Sequence, residues 1–208
     1  MSWFIGIDLG GSSVKAVAVT REGKKLADRN IAFDTAAETH WADCVASIVE
    51  EFENQQDQQA SGIGLSAPGL AARDARSIAC MPGRLQGLVD LDWTVFLRRE
   101  RPVHVLNDGH AALMGEAWLG AGKACQNLFM LTLGTGVGGG AMVDGKLILG
   151  RLGRAGHLGH ISLDPDGEPD ICGTPASLEM AIGNCTVESR SAGLFTTTHD
   201  LIAAHLDG

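Results

Sequence analysis

The chain has 208 residues, 45% hydrophobic and 20% charged, with 25 Asp and Glu against 16 Lys and Arg for a net charge of −9. That length suits one large or two small globular domains, and the composition excludes collagen, a disulfide miniprotein and a wholly disordered chain. The acidic balance repels phosphate backbones and anionic lipids, so neither nucleic acid nor a membrane surface is expected as partner.

Residues 3–9 (WFIGIDL) are short and apolar, as in a buried strand. Residues 10–13 (GGSS) turn, 14–20 alternate as a second strand, 21–24 turn again and 26–33 predict a third, so the chain opens as an antiparallel meander. Trp41, Val45, Ile48, Val49 and Phe52 recur at helical spacing and predict a helix over 38–56. Residues 61–67 read as a strand stopped by Pro68 and Gly69. A helix over 93–100, a strand over 103–106 and a helix over 108–119 follow. The pattern then restarts: a strand over 127–133, a glycine turn over 134–140, a strand over 141–143, a tight turn at Asp144 and Gly145, and a strand over 146–149. The tail, 184–208, has helical spacing at Leu194, Leu201, Ile202 and Leu206. Two similar openings imply two lobes, divided as 1–115 and 116–208.

The 28 glycines exceed the usual share of ~7% and predict tight turns or backbone that approaches a ligand. Five scattered cysteines (44, 80, 125, 172 and 185) without a C-x-x-C pair read as reduced thiols of a cytoplasmic protein. The N-terminus lacks a signal-peptide pattern, and no apolar run approaches the ~20 residues of a membrane span.

Gly134-x-Gly136-x-x-Gly139 matches a dinucleotide fingerprint, but a strand follows it where that motif needs a helix. Residues 140–146 resemble a P-loop but continue with Leu147 where a hydroxyl must hold magnesium. A glycine hairpin still offers successive N–H groups to phosphate. Asp8 beside Gly10, Gly11, Ser12 and Ser13 suits metal-bound phosphate, with a capped turn as the plainer reading. Asp108 is open to two readings, helix N-cap or general base. His157, His160 and Cys172, with Asp170 as a weak fourth, fall short of a structural zinc set.

The order of these motifs is specific. Asp8-x-Gly-Gly-Ser-Ser-x-Lys15, Ser66-Ala-Pro68-Gly69, Asn107-Asp108-Gly-His-Ala-Ala112, Leu133-Gly-Thr-Gly-Val-Gly-Gly-Gly140 and Gly156-His-Leu-Gly-His160 together resemble the ROK family of sugar kinases and sugar-responsive repressors. The resemblance implies an α/β, two-lobed actin-like/hexokinase-type ATPase fold with ribonuclease H-like lobes and a cleft between them, the second lobe incomplete. It implies ATP and Mg2+ as cofactors and a hexose as acceptor. Asp108 takes the place of the catalytic base. Asn107, His157, His160, Glu179, Pro68 and Gly69 fall on the sugar side, with residues 81–83. Asp8, Gly10, Gly11, Ser12, Ser13 and Lys15 correspond to the first phosphate loop, Asp8 holding magnesium through water. Gly134, Thr135, Gly136, Gly138 and Gly139 correspond to the second. Family members are often dimers, which makes a homodimer the expected assembly.

Three departures stand out. The glutamate of the family's Glu-x-Gly-His motif is His157, which puts the sugar's identity in question. The Cys-x-Cys-Gly-x-x-Gly-Cys zinc signature appears as Asp170-Ile-Cys172-Gly-Thr-Pro-Ala-Ser177, so no structural zinc is expected. The chain stops before the closing elements of family kinases. The alternative to a kinase is therefore a non-catalytic sugar- or nucleotide-binding module, a shortened or degenerate relative. The first strand begins at residue 3, leaving no N-terminal helix-turn-helix, which speaks against the repressor branch.

Overall fold

A computed structural model describes residues 2–34, 40–81, 83 and 85–207. The chain divides into two compact units, residues 1–111 and 112–208.

The first unit contains β1 (Trp3–Leu9), β2 (Ser13–Thr20), β3 (Lys25–Ala32), α1 (His40–Gln56), β4 (Gly62–Ala67), β5 (Leu70–Ala71), β6 (Ile78–Cys80), α2 (Trp93–Phe96), β7 (His104–Asn107) and the start of α3 (Asp108–Trp118). One five-stranded sheet runs β3-β2-β1-β4-β7. The opening meander is antiparallel, whereas β1–β4 and β4–β7 pair in parallel. The strand expected over 3–9 is present, with burial that alternates along it: Trp3, Ile5, Ile7 and Leu9 are buried, and Asp8 faces the other way, exposed. Trp41, Val45, Ile48, Val49 and Phe52 of α1 join Ile63, Leu65, Val103 and Val105 in the same core. Burying each such side chain contributes roughly 1.5–3 kcal/mol. The helix expected over 38–56 starts at His40, and residues 38 and 39 lie outside the described residues.

The helix expected over 93–100 is only four residues long. Asp92 caps it, accepting the N–H groups of Thr94 and Val95 at 2.9 and 3.2 Å. Arg98 then adopts a left-handed conformation, φ 52°, which a helix does not continue through. The apolar spacing instead reports aromatic packing, with Trp93 against Trp41 and Phe96 at ring separations of 5.9 and 5.6 Å. The β5–β6 pair is too short to leave a sequence signal. It is locked to the turn after β4 by Gly69, whose φ is 99° and where a Cβ would lie 2.6 Å from the Cys80 carbonyl.

The second unit contains β8 (Leu128–Leu133), β9 (Val137–Val143), β10 (Lys146–Leu147), a 3-10 turn (Leu158–His160), α4 (Leu178–Ile182), α5 (Asn184–Arg190) and α6 (Thr198–Asp207). Its antiparallel sheet has the order β10-β9-β8. Asp144 and Gly145, with φ of 49° and 71°, make the expected tight turn between β9 and β10. β10 is shorter than the strand expected over 146–149. The glycine run is not one turn. The turn ends at Gly136, and residues 137–140 belong to β9, paired with β8 through Thr132↔Gly138 and Leu131↔Gly139. Glycines are weak strand formers alone, but another backbone lies across these. A Cβ on Gly156 would sit 2.7 Å from Gly140 Cα, and one on Gly159 would run into the Val137 carbonyl. On β8, Phe129, Leu131 and Leu133 share one face and are 70%, 46% and 50% exposed.

Gly159→Ala drives a methyl group into the β9 backbone. The expected cost is about 1–3 kcal/mol, read as a lower urea midpoint. Gly64→Ala, where a Cβ meets nothing within 4 Å, leaves the midpoint unchanged or higher.

Candidate functional site

In the first unit the parallel strands bring three motifs to one edge of the sheet. Asp8 pairs with Ser66, and Ala67 with Asn107, so the carboxyl ends of β1, β4 and β7 lie side by side. Ligands of open α/β sheets bind beyond such strand ends. Ser66 donates its hydroxyl to Asp8 Oδ1 at 2.7 Å, which orients the exposed carboxylate. Lys15 stands opposite Asp8 in the β1–β2 register, on the same exposed face. Between them the Gly10 N–H closes the turn onto Ser13 O at 2.9 Å, and Ser12 O accepts from Phe33 N–H.

Asn107 is 6% exposed. Its Nδ2 donates to Gly69 O at 2.9 Å, and its Oδ1 accepts from Gly109 N–H at 3.0 Å. The side chain thereby ties the Pro68–Gly69 turn to the start of α3, with one amide hydrogen left over. Asn107, the residue before the helix, supplies this capping bond. Asp108 is already the first helical residue, and its Oδ1 also accepts from Gly109 N–H, at 2.8 Å. The Asp108 side chain stands exposed at the strand-to-helix junction. Of the expected sugar-side residues 81–83, Pro82 lies outside the described residues. The role of Ser66 is not readable from its motif, because its bond to Asp8 depends on a strand pairing that no local pattern reveals.

In the second unit the exposed turn is residues 134–136, closed by Gly134 N–H on Gly136 O at 3.0 Å. Thr135 is exposed at its tip, whereas Gly138 and Gly139 lie in β9, Gly139 buried. Three contacts fix the turn from behind. Asn184 N–H donates to Gly134 O at 3.0 Å and Cys185 N–H to Thr135 O at 2.9 Å. Glu179 Oε2 accepts from Val137 N–H at 2.9 Å. The same carboxylate fills the space a Cβ on Gly136 would need. Glu179 thus supports the glycine turn with one oxygen and keeps the other for a further partner.

The half-buried His157 and His160 lie on the segment that crosses β9. His160 Nδ1 donates to Asp170 Oδ2 at 2.7 Å, and its Nε2 lies 3.6 Å from Cys172 Sγ. Both ring nitrogens therefore face partners within their own loop, and a direct sugar contact from His160 would cost one of them. Asp170 is held well below the usual carboxylate range. Burial pushes it up, but hydrogen bonds from His160, Thr174, Ser177 and Cys172 outweigh that.

With this geometry in hand, comparison with known proteins is specific. The model of the ROK family matches residues 4–204. A glucokinase of Halalkalibacterium halodurans is 32% identical over 95% of this chain and 61% of its own length. The ROK hexokinase structure from Thermus thermophilus superposes with a TM-score of 0.79 at 28% identity, over 91% of this chain and 63% of that one. A ROK family glucokinase from Streptomyces griseus, solved with glucose and AMPPNP, gives a TM-score of 0.74 at 27% identity, over 93% and 62%. The fold is the α/β actin-like ATPase type of these neighbours. The chain spans between 61% and 63% of the lengths of these three proteins.

Asn107→Ala strands the Gly69 carbonyl and leaves the Gly109 N–H to Asp108 Oδ1 alone. The expected loss is about 1–3 kcal/mol of unfolding free energy, measured by urea denaturation.

Proposed function

This chain belongs to the ROK family, and from that membership we propose that it is a sugar kinase, transferring the γ-phosphoryl group of ATP to a hexose hydroxyl. The supporting observation is the strand-end alignment that places exposed Asp8 and exposed Asp108 at the ends of β1 and β7, with Ser66 and Asn107 fixing the backbone and carboxylate beside them. Glucose is the first acceptor to test, because the relatives of this chain include glucokinases.

In this reading Asp108 accepts the proton of the sugar hydroxyl as its oxygen bonds to the γ-phosphorus. The bond from that phosphorus to the bridging oxygen breaks, and ADP leaves. Such transfer asks for positioning and charge stabilisation more than covalent chemistry. The turn at residues 10–13, with Lys15, offers N–H groups, hydroxyls and a cation to phosphate, and the turn at 134–136, with Thr135, offers a second set. Gly138 and Gly139 contribute by holding that turn on β9. The exposed, hydroxyl-supported Asp8 carboxylate fits a magnesium ion held through water. When bound, that ion neutralises phosphate charge. By resemblance, sugar contact falls to the spare amide hydrogen of Asn107 and the Pro68–Gly69 turn in the first unit, and to the second carboxylate oxygen of Glu179 and to His157 in the second, with His160 shaping its loop. We place the reaction in the cytoplasm, and a homodimer is the assembly to test.

A second reading, a sugar- or nucleotide-binding module without turnover, is favoured by His157, which stands where the family motif has glutamate. Coupled ADP release from Mg-ATP across hexoses and N-acetylhexosamines separates the two. A sugar-dependent signal is expected, reduced about 10²–10⁴-fold in Asp108→Asn with sugar binding retained by calorimetry. Sugar binding without ADP release in the folded parent chain would establish the binding module. Phosphate release indifferent to sugar would establish an ATPase instead.

A further inference from the structure

We propose that Asp170 organises the loop over residues 160–177 by hydrogen bonds alone, so that the loop folds without the metal ion its family signature implies.

His160, Asp170 and Cys172 bring one ligand atom each within 4.8 Å of one another, and among the described residues they form the cluster with metal-site spacing. The donor set is nonetheless poor for structural zinc, which takes four nitrogen or sulfur ligands. The trio has one imidazole and one thiol. Ser177, at the position of the signature's last cysteine, is a hydroxyl.

The decisive observation is what Asp170 already does. Its side chain is 2% exposed. Oδ1 accepts from Cys172 N–H at 2.8 Å and from Thr174 N–H at 2.9 Å. Oδ2 accepts from His160 Nδ1 at 2.7 Å. A carboxylate has about four lone-pair sites, and three are taken by donors of the loop itself. A metal bound at Oδ2 or at His160 Nδ1 would compete with the 2.7 Å bond between them, and the loss of that bond offsets the new one.

The surrounding backbone is closed in the same way. Asp170 N–H donates to Thr174 O at 2.9 Å, Gly173 N–H to Asp170 O at 2.9 Å and Ala176 N–H to Glu168 O at 2.7 Å. Bridges Ser162↔Ser177 and Pro169↔Pro175 seal the loop across its width. The network also reaches the glycine turn. Ser177 is fully buried and its Oγ accepts from Met180 N–H at 3.3 Å, capping α4, which carries Glu179. One carboxylate thus gathers an imidazole and two amides, the task a tetrahedral ion performs elsewhere.

The test uses the whole chain, produced with zinc in the medium. Metal content is measured by mass spectrometry and melting temperature with and without EDTA or added Zn2+. Well below one zinc per chain is expected, with EDTA and Zn2+ each leaving the melting temperature unchanged. Asp170→Asn is expected to lower it by on the order of 5 °C, with no recovery in Zn2+. The double variant Asp170→Cys with Ser177→Cys, which restores thiols at two signature positions, is expected to retain zinc and to melt lower in EDTA. Stoichiometric zinc in the parent chain, together with a fall in melting temperature on chelation, would overturn the proposal. So would an Asp170→Asn chain that melts with the parent. Should that variant fail to fold, the metal content and chelator response of the parent chain decide.

Discussion

The parallel register of β1, β4 and β7 is the constraint on which the candidate chemistry of the first unit rests. The pleat sends Ile7 and Leu9 into the core, so Asp8 between them has to face the other way. A slip of one residue would bury the carboxylate and expose two large apolar groups. The hydrophobic core thereby enforces an exposed acid at the strand end. The same register brings Ser66 against Asp8 and sets Asn107 beside Ala67. Asn107 then uses its amide on Gly69 and Gly109, which leaves Asp108 projecting at the junction. Nothing in this sequence of dependencies requires a residue to be strained at the acid itself. The positive φ lies at Gly69, one turn away.

The second unit solves a different problem with the same residue type. Its glycine run has an exposed part, residues 134–136, and a buried part, where the absent side chains admit the backbone of residues 156–159. Each part needs the other. The segment lying on β9 leads into the loop organised by Asp170, that loop ends at the Ser177 cap, and the capped helix returns Glu179 to the Val137 N–H. The turn is therefore held from both ends by elements distant in sequence. Its geometry is a property of the whole unit rather than of the Gly-Thr-Gly tripeptide.

Much of this is legible in the sequence, for a clear physical reason. The alternation over residues 14–20 and the helical spacing from Trp41 to Phe52 are direct imprints of burial on one face. The turn residues at Asp144 and Gly145 are imprints of φ. Elements without side chains leave no such imprint, so residues 137–140 read as turn although they pair as strand. Trp93 and Phe96 mislead in the opposite sense, since two aromatics can reach one core from a single helical turn. By residue type Asp170 reads only as a weak metal ligand, because two of its partners are backbone amides, which residue types do not advertise. The family and the order of its motifs are readable from residues alone. The contacts that hold those motifs, Ser66 to Asp8 and Glu179 to Val137, need the fold.

Strand β8 has a consequence for association as well as for the fold. It lies at the edge of its three-stranded sheet, and Phe129, Leu131 and Leu133 stand exposed along one face. The strand Leu128–Leu133, LFMLTL, contains no charge and no proline. Open amide and carbonyl groups on an apolar edge are a template for another strand, and natural sheets usually guard such edges with lysine, proline or a bulge. Here the nearest guards are the acidic surface charge and whatever chain or copy covers the edge. High salt, which screens the net charge of −9, weakens the repulsion that keeps two such edges apart.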